Sequence, residues 1–148
     1  PVVQEKENAG YLDLLGVSCL VLARTAASLD SADRAKLAPH VRDLAQALAE
    51  VSGGLGDRAV RQHAADRGLA VAVEISADSE ASDSSFAAAV MSARMVATDL
   101  MAFAGIDSDD AVAAVRQGLR SRDVRSPPET AQLPSWRRWL RLPFRRRD

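Results

Sequence analysis

The sequence predicts an all-α fold, an up-down bundle of four to five helices followed by a flexible basic C-terminal tail. Apolar residues recur at helical spacing along most of the 148 residues. Alanine occurs 28 times while aromatic residues make up only 4%, a composition that favours closely packed helices. The length is that of one domain able to bury its own core. We expect a helical bundle over 9–122, a linker over 123–134 and a cationic amphipathic tail over 135–148.

The first helix is predicted by apolar residues three or four positions apart, which therefore share one face. They are Leu12, Leu15, Cys19, Leu22, Ala26 and Leu29. A second apolar row, formed by Leu14, Val17 and Val21, lies beside the first. A helix that is apolar on two sides is either central in a bundle or buried against a second chain. We therefore expect these three residues to contact a partner, and the protein to be a homo-oligomer.

The second helix is preceded by Asp30 and Ser31, whose side-chain oxygens suit a helix N-cap. Its apolar row steps by four and three from Leu37 to Leu55, and the Gly53-Gly54 pair is expected to end it. Its polar side chains, expected on the opposite face, are Arg42, Asp43, Gln46 and Glu50. Because the apolar rows of the first two helices match, we expect these helices to pair antiparallel.

The third segment is ambiguous between helix and strand. Residues 57–67 have the pattern of a polar helix, whereas apolar residues alternate over 69–75, a period typical of strands. No second strand is predicted to pair with 69–75, and an isolated strand leaves its backbone hydrogen bonds unmade. The segment is therefore assigned to a helix. The acidic, serine-rich run 76–85 is expected to be a mobile loop.

Two further helices are predicted after this run. The fourth begins at Asp83 or Ser84 and continues to Ala104, where Gly105 stops it. Its expected core row is Phe86, Val90, Ala93, Ala97, Leu100 or Met101, and Ala104. The fifth runs from Ser108 to about residue 120, with acids in its first turn. Its expected inner row is Val112, Val115 and Leu119.

The fourth helix also carries Arg94 and Asp99. Each is either exposed or a buried polar partner of another helix. Exposure is the favoured interpretation, because charged residues are seldom fully buried.

A search for chemistry predicts no enzyme and no cofactor. His63 and Asp66 lie three residues apart, but spacing supplies no third ligand and His40 lies on another predicted helix. Cys19 lies in a predicted core row, where a thiol behaves as a small apolar group. Residues 52–57 have the glycines of a phosphate loop but an acid where that loop needs lysine. Binding of a metal is kept as the last alternative.

The single cysteine excludes an internal disulfide and fits a reducing compartment. Residues 2–8 are too polar for a signal peptide. The most apolar stretch, 14–23, has ten residues where a bilayer needs about 20, so no spanning helix is expected. Since the chain begins at Pro1, we expect it to be a piece of a longer protein.

The tail is the most distinctive feature. Residues 133–148 carry six arginines and one acid, a net charge of +5, which leaves −6 for residues 1–132. In a helix, Trp136, Trp139 and Leu140 fall on one side. Arg137, Arg138, Arg141 and Arg145 fall on the opposite side, as in segments that lie on anionic membranes. The expected membrane-surface residues are Trp136, Arg137, Arg138, Trp139, Leu140, Arg141, Phe144, Arg145, Arg146 and Arg147.

Two alternatives remain for the tail. The tryptophans fold back onto the acidic domain, or the arginines bind nucleic acid. Nucleic acid is the weaker alternative, because the acidic body repels a phosphate backbone.

Residues 29–48 and 92–105 resemble the soluble helices that follow the spanning segments of fusaric-acid-resistance-like, aromatic-acid-exporter-type membrane proteins. The resemblance implies a cytoplasmic helical domain that oligomerises, in a protein that exports small aromatic or amphipathic organic acids. No transport residue is carried over, because no spanning segment is predicted.

From these observations we expect a non-catalytic cytosolic helical domain at the cytoplasmic face of the inner membrane, mediating oligomerisation or regulation. The first alternative is a soluble helical adaptor that binds a partner helix. A small-molecule ligand is not identified by the sequence.

Overall fold

The computed structural model describes the backbone of residues 2–78 and 84–123, and the side chains of 9–77 and 84–118. Within these residues the chain forms five α-helices and no strand, so the predicted all-α bundle is confirmed. The helices are α1 (Val2–Ala27), α2 (Ser31–Gly53), α3 (Arg58–Asp78), α4 (Ser84–Phe103) and α5 (Ser108–Asp123). The linker after Asp123, the tail and the side chain of Leu119 lie outside the described residues.

Side-chain caps and one glycine fix where the helices begin and end. Asp30 caps α2 as predicted, because its carboxylate accepts a hydrogen bond from a first-turn backbone N–H at 2.8 Å. α5 begins at Ser108 as predicted, and Asp107 caps it by accepting a hydrogen bond from the backbone N–H of Asp109 at 2.9 Å. Gly105 follows α4 with a φ of 98°, a conformation that glycine adopts without steric cost.

The third helix is longer than its sequence pattern suggests. It continues through Gly68, so the assignment of 69–75 to a helix is confirmed. A Cβ on Gly68 would lie 3.3 Å from the carbonyl oxygen of Ala97, so glycine lets α3 approach α4 closely. The predicted loop 76–85 is correspondingly too long: 76–78 belong to α3 and 84–85 to α4. Residues 79–83 lie outside the described part of the chain.

The helices do not pack in the order in which they occur along the chain. α4 contacts each of the other four helices, and α1 packs mainly on α4. The predicted antiparallel pair of α1 and α2 is wrong, since α2 packs on α3 instead. The physical reason is the apolar breadth of α4, of which half the residues are buried, many of them alanines that permit close approach.

Core rows are confirmed most fully on α4, where every predicted position is buried. Leu15 and Leu22 on α1 and Leu29 just after it are buried, but Leu12 is exposed and Ser18 occupies the core instead. On α5 the predicted inward residue Val112 is exposed, and the buried side chains are Ala111, Ala114 and Val115. The small alanines and Ser18 were missed because they add little to an apolar pattern.

Two of the described helices, α1 over 9–27 and α4 over Ser84–Phe103, are long and apolar enough to cross a membrane by length and composition. The predicted ten-residue stretch, 14–23, lies within this segment of α1, which also contains Asp13 and Arg24. In α4 this apolar segment is 56% buried inside the bundle, as in a core helix. In α1 it is only 17% buried. The bundle thus leaves most of the apolar surface of α1 open.

Candidate functional site

α1, α4 and α5 enclose an open groove with a cavity of about 290 Å³. Its apolar lining is Leu14, Met91, Met95, Val112 and Val115. Its polar lining is Ser18, Arg94, Thr98, Asp99 and Arg116. The volume lies at the lower end of the ~300–1,000 Å³ typical of small-molecule pockets. An open groove of this size suits protruding side chains, which can remain partly outside it, better than an enclosed ligand.

The floor of the groove is polar and joins two helices. Ser18, which is 1% exposed, donates a hydrogen bond to the carboxylate of Asp99. Burial raises the pKa of the neighbouring Cys19 thiol, and the negative charge of Asp99 raises it further. The thiol therefore stays protonated at neutral pH, which is the opposite of what a nucleophilic cysteine needs.

Arg94 is half-buried beside the groove and has no carboxylate partner among the described residues. Its Nε atom is buried without a hydrogen-bond partner, and its Nη1 atom lies 3.6 Å from the sulfur of Met91. The favoured expectation that Arg94 and Asp99 are exposed is therefore wrong, because both are half-buried. Asp99 has a partner on another helix, whereas the side-chain contact of Arg94 within the described residues is to the sulfur of Met91 on its own helix.

The rim of the groove is an apolar surface that continues along α1. Leu14, Met91, Met95 and Val112 all line the groove and are all exposed. Val17 continues this surface, and it is 59% exposed. The structure thus places the predicted partner row, Leu14, Val17 and Val21, on the surface and one end of it in the groove.

A second polar cluster joins α2 to α3. Arg67 donates hydrogen bonds to Glu50 at 3.0 Å, to Gln46 at 3.1 Å and to Asp43 at 3.5 Å. These three residues were expected to face away from the bundle with Arg42. They contact α3 instead, because the arginine side chain is long enough to reach them from the adjacent helix. The cluster fixes α3 against α2.

The possible metal ligands are not gathered in the described part of the chain. The Nε2 atom of His63 lies 3.6 Å from Glu50, and Asp66 accepts a hydrogen bond from Gln62 at 2.9 Å. Within residues 9–77 and 84–118, no group of three or more His, Cys, Asp or Glu side chains is close enough to hold a metal ion. His63 and Asp66 thus have separate protein contacts.

Sequence reasoning missed Ser18, Met91, Met95 and Arg116 as groove residues. One signal was available for the methionines, because they lie four residues apart on α4 and outside its core row. For Ser18 and Arg116 no such signal exists, since their proximity follows from how α1 and α5 pack on α4. The predicted membrane-surface residues, 136–147, lie outside the described residues.

Comparison of this chain with protein families, with curated proteins and with solved structures finds no significant match.

Proposed function

We propose that this chain is a non-catalytic helical interaction domain that self-associates through the outer face of α1, in the cytosolic part of an inner-membrane protein. The observation that supports self-association is the open apolar row of α1. Leu14 is 50% exposed and Val21 is 38% exposed, with Val17 between them. Rows of large apolar side chains on one surface are typical of contact sites.

Magnitudes indicate how large this contact must be. Fully burying a Leu or Val side chain contributes about 1.5–3 kcal/mol, so three half-exposed ones contribute about 2–4 kcal/mol. Association costs at least about 4 kcal/mol, so the row needs further contacts along α1. At 1.5 Å per residue the 26-residue helix is about 39 Å long, enough for such an extended contact. We expect a weak, concentration-dependent dimer.

The membrane location is supported by charge and by resemblance. Six arginines near an anionic surface contribute about 1 kcal/mol each before ordering costs, which gives reversible attachment. The excess of basic residues fits the cytoplasmic side of a membrane protein. The resemblance to the soluble helices of exporter-type proteins points to the same place. Export itself would belong to spanning segments elsewhere in such a protein.

Sedimentation equilibrium tests self-association. The wild-type chain should dimerise at concentrations of about 10–100 µM, and Val17→Glu or Val21→Glu should weaken the dimer at least about tenfold, since each buries a charge. Leu55→Glu is the matched control, because Leu55 is 47% exposed and lies outside α1. A monomeric wild-type chain, or equal effects of all three substitutions, would refute the proposal.

Vesicle sedimentation tests the tail separately. Binding should be stronger to anionic than to neutral vesicles and should fall in the double variant Arg137→Glu with Arg138→Glu. Equal binding to both kinds of vesicle would remove the membrane-surface assignment without affecting self-association.

The adaptor alternative uses the same apolar row for a different helix. Determining the sequence upstream of Pro1 distinguishes the membrane-protein proposal from the adaptor alternative. Several spanning helices before Pro1 support the membrane-protein proposal, whereas a soluble upstream region favours the adaptor.

A further inference from the structure

We propose that the groove between α1, α4 and α5 binds the chain's own C-terminal segment, residues 135–148, through Trp136, Trp139 and Leu140. This inference does not depend on self-association. It concerns a different set of residues, with only Leu14 shared.

The lining of the groove suits indole rings. Met91 and Met95 are flexible and polarisable, and a methionine sulfur beside an aromatic ring contributes about 0.3–1.5 kcal/mol. Arg94 and Arg116 flank the same groove, and guanidinium groups stack on indole faces. The half-buried Arg94 has no carboxylate partner in the described residues, so its guanidinium can stack without breaking an ion pair.

The spacing of the tail matches this mode of binding. Trp136, Trp139 and Leu140 stand at positions i, i+3 and i+4, the anchor pattern of an amphipathic helix in a groove. Arg137, Arg138 and Arg141 fall on the opposite side of such a helix. They would face solvent, so the positive charges of Arg94 and Arg116 in the groove do not oppose them at close range.

The connection is long enough to permit this contact within one chain. The fifth helix, which supplies Val112 to the groove, ends at Asp123. Twelve residues separate Asp123 from Trp136 and span up to about 40 Å when extended. Val112 lies eleven residues before Asp123, about 17 Å along the helix axis. The tail can therefore turn back and reach the groove.

Because the tail is joined to the bundle by a short linker, a weak affinity for the groove is sufficient to keep it bound. A short flexible connection gives an effective concentration of about 1 mM. A groove affinity of about 0.1 mM would then keep the tail bound about ten times more often than free. The net charge of −6 on residues 1–132 against +5 on 133–148 adds a general attraction between body and tail.

Docking has a regulatory consequence. The aromatic face of the tail cannot lie in the groove and on a membrane at the same time. The groove therefore competes with the anionic surface for the tail. Because Leu14 belongs both to the groove and to the α1 row, a docked tail also covers part of the proposed self-association surface.

Intrinsic tryptophan fluorescence tests the inference directly, because the two tryptophans of the chain, Trp136 and Trp139, both lie in the tail. In the full chain without membranes, emission should be blue-shifted relative to a synthetic peptide of residues 135–148. Collisional quenching by acrylamide should be up to about tenfold weaker than in the peptide, because the tail is bound about ten times more often than it is free. At protein concentrations below those at which the chain dimerises, both properties should be independent of concentration, as an intramolecular contact demands.

Substitutions in the groove give the decisive comparison. Met95→Glu and Val112→Glu alter exposed side chains, so the fold should survive, as far-UV circular dichroism can verify. Each should shift emission and quenching towards the values of the free peptide, whereas Leu55→Glu, at an exposed residue outside the groove, should not. Peptide-like emission in the wild-type chain would overturn the inference. So would emission that depends on concentration below the dimerising range, or a wild-type spectrum in both groove variants.

Discussion

Ser18 on α1 donates its hydroxyl hydrogen bond to the carboxylate of Asp99 on α4, across 81 positions of sequence. Because α1 packs mainly on α4, this bond lies in the contact that attaches α1 to the bundle. An apolar row alone permits a helix to slide by one turn, whereas a buried polar pair fits one register. Ser18 and Asp99 therefore align the groove between α1, α4 and α5.

Replacing Ser18 by alanine should lower the free energy of unfolding by about 1–3 kcal/mol, because a half-buried carboxylate loses its hydrogen-bond donor. Urea titration followed by circular dichroism measures this change. Ser92→Ala is the matched control, since Ser92 is also a buried serine but bonds within its own helix, to the carbonyl of Ala88. Equal costs for the two substitutions would show that the bond between helices adds nothing.

Arg67→Met should destabilise the chain by about 1–3 kcal/mol, because it removes the donor shared by Glu50 and Asp43 and leaves the half-buried Glu50 without that charge partner. Thermal unfolding measures the change. Adding Glu50→Gln should recover part of the loss, since a neutral amide needs no charge partner. Arg42→Met is the control, because Arg42 is exposed on the same helix as Glu50.

Gly118→Ala should destabilise the contact between α5 and α3 by about 1–3 kcal/mol, because a Cβ at this position would lie 2.6 Å from Cγ2 of Val73. Gly16→Ala in α1 adds the same atom where nothing beyond the local backbone of its own helix lies within 4 Å, and should stabilise by about 0.5–1 kcal/mol. In urea unfolding, the two substitutions should therefore change the free energy of unfolding in opposite directions. A stabilising Gly118→Ala would contradict the packing of α5 on α3.

Alkylation of Cys19 by iodoacetamide should be slower than that of an unstructured cysteine, because burial and the Asp99 charge raise the pKa of its thiol. Asp99→Asn should increase the rate by removing the second cause, while burial keeps it below that of a free thiol. A rate equal to that of a free thiol in the wild-type chain would contradict the packing of α1 on α4.

The same pKa shift predicts a loss of stability at high pH. The unfolded thiol ionises near 9.0, whereas the folded thiol ionises at a higher pH. The unfolded chain therefore loses its proton first, and the free energy of unfolding should fall as pH rises through this window. Well below pH 9.0 the thiol is protonated in both the folded and the unfolded chain, so Cys19 adds no pH dependence to the free energy of unfolding. Cys19→Ala should remove this part of the pH dependence, and identical profiles for both chains would refute it.

The sequence by itself determined the helices and much of the core. Leu15 and Leu22 on α1, with Leu29 just after it, are spaced for one helix face and are buried. The same holds for the predicted row of α4, which starts at Phe86 and ends with Ala104 just after the helix. Asp30 predicted the start of α2 because a cap acts within one turn. These features depend on neighbours three or four residues away, which the sequence displays directly.

The tertiary structure decided which helices meet. The matched rows of α1 and α2 suggested a pair, but α4 offers a broader apolar face with alanines that admit closer packing. That choice brought Ser18 to Asp99 and placed Met95 and Val112 in the same groove. Such contacts join residues far apart in sequence. Which helices make these contacts depends on how well their apolar faces pack against one another, and a local sequence pattern does not show this. Hydrophobic burial is non-directional, so the pair of faces that packs most closely is the most stable.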